Sequence, residues 1–325
     1  MALWRRCIEG DDAMGRMSPG IRLLCLALCL PGTLPVAGQG SADPLVRARS
    51  LLAAGKLAES EAALRSMAQA HASSGEAHFL LGYVLFREKK ATESLAEFTA
   101  GAALQHPRAS ELKIVASDYV MLGDYGDADK WFTAVVVEKP DDADAWYLLG
   151  RTKFNENNFT AAVSCFERVL SLHPRHVEAE NNLGLAWLEL SHPEKAKAAF
   201  QSAIDWQGNA PADAQPFLNL GGLLTDQNSY DKAIPYLTKA AALSPDNPKV
   251  HEELAQVYAA QQNLQQAQRE LEKAVALAPK ISGLHYKLGQ IYRKEALRER
   301  AEQEFAICAQ LNSTHSSAGT PNPPR

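Results

Sequence analysis

The sequence lacks almost every signature that carries chemistry. Its 325 residues hold no CxxC pair, no phosphate-cradling glycine loop, no GxSxG elbow and no HExxH zinc pair. His251-Glu252-Glu253 starts like the last of these, but Ala255 stands where the second histidine belongs. No catalytic residue, metal site, cofactor or small-molecule substrate is therefore expected. Cysteine is scarce too: Cys7, Cys25 and Cys29 fall near the start, which leaves Cys165 and Cys308 in distant helical segments. A disulfide needs Cα atoms within about 7 Å, so this pair reads as two small apolar side chains in packed helices. Excess positive charge is also missing. The net charge is −5, and the first forty residues carry four basic and three acidic side chains, which leaves about −6 on the rest. A polyanion such as nucleic acid is not an expected partner. Two clusters look like cation sites only in isolation. Asp141-Asp142-Ala143-Asp144 reads as a helix cap, and His173-Pro174-Arg175-His176 reads as a solvated turn with no third ligand nearby.

A membrane-spanning run is absent as well. The apolar stretch Leu23–Leu30 falls short of the roughly 20 residues that a bilayer requires. Arg16 and Arg22 precede it, Pro31, Gly32 and Pro35 end it, and Val36-Ala37-Gly38 offers small residues for cleavage. Residues 1–40 thus read as a secretory leader, with the mature chain starting between Val36 and Asp43 and exported to a periplasm or secreted. The alternative is a retained membrane anchor, the one membrane contact expected. The long, partly acidic stretch before Arg16 leaves Met14 and Met17 as starts alternative to Met1.

What the chain does have is a period. From Asp142 to Pro174, apolar and small residues recur at helical intervals: Trp146, Leu149, Gly150 and Phe154, then Phe159, Ala162, Phe166 and Val169. With Ala143 as position 1, position 8 is Ala48, Gly82, Ala116, Gly150, Gly184, Gly221, Ala255 and Gly289 in eight successive units. The step is 34 residues throughout, except for 37 between Gly184 and Gly221, where a loop at 209–213 holds the extra three. Position 20 is always Ser or Ala, and position 24 always Leu or Phe. Small residues at 8 and 20 mark where two helices of a hairpin cross, since a larger side chain would push them apart. Pro140, Pro174, Pro245 and Pro279 at position 32, with Pro107 one residue late, end the units, because proline cannot continue a helix. Units are expected at about 41–74, 75–108, 109–142, 143–176, 177–210, 214–247, 248–281 and 282–311, followed by a polar, proline-rich tail at 312–325 expected to be disordered. With 46% hydrophobic and 22% charged residues the composition is that of an ordinary soluble chain, and length counts repeats rather than domains.

Trp146, Leu149, Gly150, Phe159, Ala162, Phe166 and Pro174 resemble the tetratricopeptide repeat. The resemblance implies an all-α fold, a right-handed superhelical solenoid of antiparallel helix hairpins whose first helices line a concave side. It implies a non-enzymatic scaffold that binds a protein or an extended peptide there. The alternative is an accessory or regulatory subunit of a secretion, pilus or cell-wall synthesis complex. First-helix positions 2, 5, 6, 9, 12 and 13 face the groove in this family, which makes Lys113, Tyr147, Arg151, Phe154, Asn181, Asn182, Asn219, Tyr286, Lys287 and Arg293 the groove candidates. Asn182 and Asn219 share position 6. In some relatives such asparagines bond the backbone of an extended peptide, and the competing reading is that they bond across neighbouring helices. The clamp by which some members hold chaperone tails needs Lys and Asn where this chain has Leu45, Arg49, Leu80, Ser110 and Ile114, so that role is disfavoured. Histidines at position 4, His78, His251 and His285, are expected to pack against the neighbouring helix.

Overall fold

A computed structural model describes residues 43–69 and 74–317. The expected leader and the tail beyond Ser317 lie outside the described residues. Within them there are sixteen helices and no strand. In order they are α1 Pro44–Ala53, α2 Leu57–Gln69, α3 Gly75–Arg87, α4 Ala91–Leu104, α5 Ala109–Leu122, α6 Tyr125–Glu138, α7 Ala143–Asn155 and α8 Phe159–Leu172. Then come α9 Val177–Glu189, α10 Pro193–Trp206, α11 Gln215–Asp226, α12 Tyr230–Leu243, α13 Pro248–Ala260, α14 Leu264–Leu277, α15 Ser282–Lys294 and α16 Arg298–Ser317. Each consecutive pair is one hairpin, and each expected unit holds one pair. One boundary moves: the last helix continues to Ser317, so the first residues of the expected disordered tail are helical.

The crossing residues explain the hairpins. Position 20 is fully buried from Ser60 through Ala267, and the position-24 side chains Phe98, Phe132, Phe166 and Phe200 are no more than 2% exposed. A Cβ on Gly82, Gly150, Gly184 or Gly289 would lie 2.5–2.8 Å from the ring of Phe98, Phe166, Phe200 or Phe305. The missing side chain is what lets the ring sit against the opposite backbone, and each buried Leu or Phe contributes about 1.5–3 kcal/mol.

The turns within hairpins share a feature that the sequence shows only in part. Position 15 is left-handed in all eight units: Gly55, Lys89, Gly123, Asn157, Ser191, Asn228, Gln262 and Ala296 have φ between 56° and 78°. Glycine and asparagine suit that backbone, whereas Lys, Ser, Gln and Ala accept it at a cost. Several helix starts are capped or opened by proline. Asp142 accepts the Ala145 amide at 2.9 Å, so the acidic cluster is a cap. Asn247 caps α13 through the Lys249 amide at 3.0 Å, and Pro193 and Pro248 open their helices where a missing donor costs nothing.

Position 4 does more than pack. The Trp146 indole N–H donates to the Pro140 carbonyl at 3.1 Å. His251 Nε2 lies 2.8 Å from the Pro245 carbonyl, and His285 Nε2 lies 2.9 Å from that of Pro279. On their other side the rings meet the second helix of their own hairpin, with Nδ1 2.6 Å from Glu270 and from Glu304. The ring thus pins the proline that closes one repeat to both helices of the next.

Successive first helices touch one another, α1 with α3, α3 with α5, α7 with α9, α9 with α11 and α11 with α13, while second helices form no comparable series. The first-helix side is therefore the inner one, and positions 5, 6 and 9 line it.

Candidate functional site in the inner groove

Where first helices stack, position 6 of one repeat meets position 5 of the repeat before it. Three junctions show this rung as a hydrogen bond. Asn182 Nδ2 donates to the Tyr147 hydroxyl at 3.0 Å, Asn219 Nδ2 donates to Asn181 Oδ1 at 2.8 Å, and Lys287 Nζ donates to Glu252 Oε1 at 2.5 Å. The asparagines do bond across neighbouring helices. Each amide nevertheless spends only one N–H in this way, and among the described residues neither Asn182 Oδ1 nor Asn219 Oδ1 accepts a hydrogen bond, so donor and acceptor capacity remains.

Four candidates come together around Tyr147. The Arg151 guanidinium carbon lies 5.9 Å from the ring centroid, the His176 ring stacks at 5.3 Å, and Phe166 supports the ring at 6.1 Å. Phe154 meets Phe159 edge-on at 5.2 Å. Arg151, Phe154 and Asn182, with Asn155, Phe166 and Leu185, enclose a small cleft of about 70 Å³. Burial raises the Tyr147 pKa, against opposing pulls from Arg151 and from the Asn182 amide, so the phenol stays neutral and acts as a hydrogen-bonding surface. Asn181 and Asn219 form the next rung.

The remaining candidates are elsewhere. Lys113 pairs with Asp142 at 2.8 Å across the junction of repeats three and four, which commits its charge to a helix cap. Burial opposes ionisation of Asp142, but the bonds from Lys113 and the Ala145 amide outweigh it and lower the pKa. In repeat eight Tyr286 and Arg293 lie 5.7 and 5.8 Å from the Phe305 ring, and Lys287 is held by Glu252.

Sequence reasoning missed His176, Glu252 and two further openings. One, about 240 Å³, lies along repeats one to three and includes Leu80, Tyr83 and Ile114. The other, about 580 Å³, lies between the His173–Glu178 turn and the inserted loop, which Gln207 orders by accepting the amides of Ala212 and Asp213. The extra three residues were a visible signal for the second. Among the described residues no group of three or more His, Cys, Asp or Glu is placed to hold a metal ion, and no helix is long and apolar enough to cross a membrane.

Tetratricopeptide-repeat family models match residues 45–108 and 224–291, and the model of the cilia and flagella-associated protein 70 middle TPR-like domain matches 112–233. The chain is a tetratricopeptide-repeat protein. Among curated relatives, the human protein O-mannosyl-transferase TMTC1 is 25% identical over 195 residues, which cover 58% of this chain and 22% of the relative. The chain thus spans under a quarter of that relative's length. Among solved structures, a tetratricopeptide repeat protein from Parabacteroides merdae superposes with a TM-score of 0.61 at 18% identity, over 76% of this chain and 97% of that one. PilW, described as a widely conserved type IV pilus biogenesis factor, gives 0.57 at 21%, over 64% and 94%. These likenesses establish the repeat solenoid.

Proposed function

We propose that this tetratricopeptide-repeat protein is a non-enzymatic scaffold that holds an extended peptide or protein segment along the inner groove of repeats four to six. The observation that carries this reading is the Tyr147–Asn182 rung beside Arg151, continued by Asn181–Asn219, with unspent amide oxygens and N–H groups. Amides both donate and accept, so they satisfy a peptide backbone without reading its side chains, while Arg151 adds charge selectivity. The site of action is outside the cytoplasm. Support for that comes from the leader-like residues 1–40, and intact mass of protein from its native host is expected to show a start between Val36 and Asp43. Retention of Leu23–Leu30 would replace export of a free protein with a membrane-anchored one. The second reading, a fixed subunit of a secretion or pilus complex, takes its support from the fold shared with PilW.

Affinity capture with the full repeat array, followed by mass spectrometry, identifies the partner. Against that partner, Asn182→Ala with Asn219→Ala is expected to weaken binding by about 0.5–1.5 kcal/mol per lost bond while helicity is retained. Unchanged affinity with a lower melting temperature would reduce both asparagines to stack-holding residues and move the site to another opening, such as the one beside the inserted loop.

A further inference from the structure

From repeat two onward, position 10 of the first helix is a core position. It holds Val84, Ala186, Leu223, Val257 and Ile291 in repeats two, five, six, seven and eight, all buried. Repeat three has Asp118 there, with no solvent exposure. Its surroundings fix its proton count. Asp118 Oδ2 lies 2.6 Å from Ser94 Oγ, and Ser94 Oγ lies 2.8 Å from the Gly82 carbonyl. A serine hydroxyl has one proton. In repeat one the equivalent Ser60 hydroxyl donates to the equivalent carbonyl, that of Ala48, at 2.9 Å with no acid nearby to compete. Given the same bond to Gly82, the short contact from Ser94 to Asp118 needs a proton of its own, which the carboxyl must supply. Asp118 Oδ1 has no hydrogen-bond partner at all. An ionised carboxylate with one oxygen bare in an apolar core is far more costly than the unpaired carbonyl of a neutral acid.

We propose that Asp118 is a protonated carboxylic acid donating to Ser94, and that it makes the junction of repeats two and three a joint which rising pH loosens. No charged group stands ready to stabilise the anion. The helices against α5 are α3, α4 and α6. On α3, Glu76 pairs with Arg49, His78 with Glu97 of α4, and Arg87 donates to the Tyr83 hydroxyl. On α4, Glu93 is taken by Arg65. On α6, Asp127 pairs with Lys130 and Asp129 with Lys153, while Tyr125 is half-buried and Glu138 exposed. On α5 itself Glu111 accepts the Arg108 amide, Lys113 holds Asp142, and Tyr119 is the neighbour in sequence. Lys90, one turn before Ser94, is bound to Glu61 and Glu88. Burial pushes the Asp118 pKa up to about 7, and no charged side chain contributes to the shift.

The sign follows directly. The folded carboxyl titrates above its unfolded value, so its stabilisation is complete below the unfolded pKa. It is lost as pH rises toward neutrality, the reverse of acid unfolding by paired carboxylates. The cleft bounded by Leu80, Tyr83 and Ile114 spans this same junction, so loosening it changes the groove there.

The test compares the full chain with Asp118→Asn, whose amide donates to Ser94 without titrating. Denaturant unfolding is followed from about pH 4 to about pH 9. The parent's unfolding constant is expected to rise, relative to the variant's, by up to tenfold per pH unit below neutrality and to level off above it. An identical pH dependence in the two proteins would overturn the proposal. Carboxyl-labelled aspartate in the parent gives a second readout that needs no folded variant: one ¹³C resonance should titrate near neutrality. Ionisation of every aspartate by about pH 5 would likewise refute it.

Discussion

The junction of repeats two and three and the junction of repeats seven and eight solve the same packing problem with their polar groups in different places. At the first, the groove positions are Phe79 and Ile114, and the polar contact is buried between Ser94 and Asp118. At the second, the core position is Ile291 and the polar contact, Lys287 with Glu252, sits on the groove side with Lys287 41% exposed. The carboxyls respond oppositely to pH. Burial works against ionisation of Glu252, but hydrogen bonds from Lys287 and Lys249 outweigh it and lower its pKa, so its contribution is lost in acid. Asp118 is penalised as pH rises. Polar groups on the groove side set what a partner meets and cost the stack little. A polar group in the interior makes the stack itself conditional.

That contrast assumes the aromatic core is the same in both halves, and the largest expected effect tests it. Phe98→Ala in repeat two and Phe200→Ala in repeat five each empty a fully packed crossing, and each should cost about 3–5 kcal/mol in urea unfolding of the whole array. Similar losses confine the difference between the halves to their polar contacts. A much smaller loss at Phe98 would mean that Asp118 has already loosened the core around it.

How much of this the sequence discloses depends on whether a feature repeats. The hairpin crossings were legible because Gly or Ala at position 8, Ser or Ala at 20 and Leu or Phe at 24 recur eight times, and an error in register would have broken every row. The groove candidates were legible as positions, but not as partners. Lys113 carries the right position and is spent on Asp142, because that bond crosses a junction whose geometry the period does not specify. At position 15 Gly55 and Gly123 suit the left-handed backbone, yet Lys89 and Ala296 adopt it too, with no glycine to announce it. Asp118 escaped notice since a single acid in a helix ordinarily faces water. Only its place at position 10, where repeats two, six, seven and eight put Val, Leu or Ile, marks it as buried.

Position 15 offers a smaller perturbation that acts in both halves without touching the groove or the buried acid. Lys89→Gly in repeat two and Ala296→Gly in repeat eight relieve a side chain held at φ 63°, and each should stabilise by about 0.5–1 kcal/mol after the added flexibility of the unfolded chain is counted. Thermal melts would register this as equal small increases. A gain confined to Ala296→Gly would show that unfolding starts at the C-terminal end.

The smallest effect is expected where the contrast predicts that a polar contact is dispensable. Lys287→Met removes one partner of Glu252 and keeps most of the stem that covers the groove wall. Glu252 still has Lys249 Nζ at 3.0 Å and remains 17% exposed, so it is not left as a bare buried charge. The loss at neutral pH should stay below about 1 kcal/mol and shrink further in salt. The acid side sharpens the test. With Lys287 gone the carboxyl is held less far below its ordinary range, so the stability that the parent loses as pH falls through the folded pKa should be partly absent from the variant. Urea midpoints at neutral pH and near about pH 4 would read both terms. A penalty of several kcal/mol at neutral pH would place Glu252 in the same class as Asp118, a buried acid that depends on one partner, and the contrast between groove-side and interior polar contacts would fail.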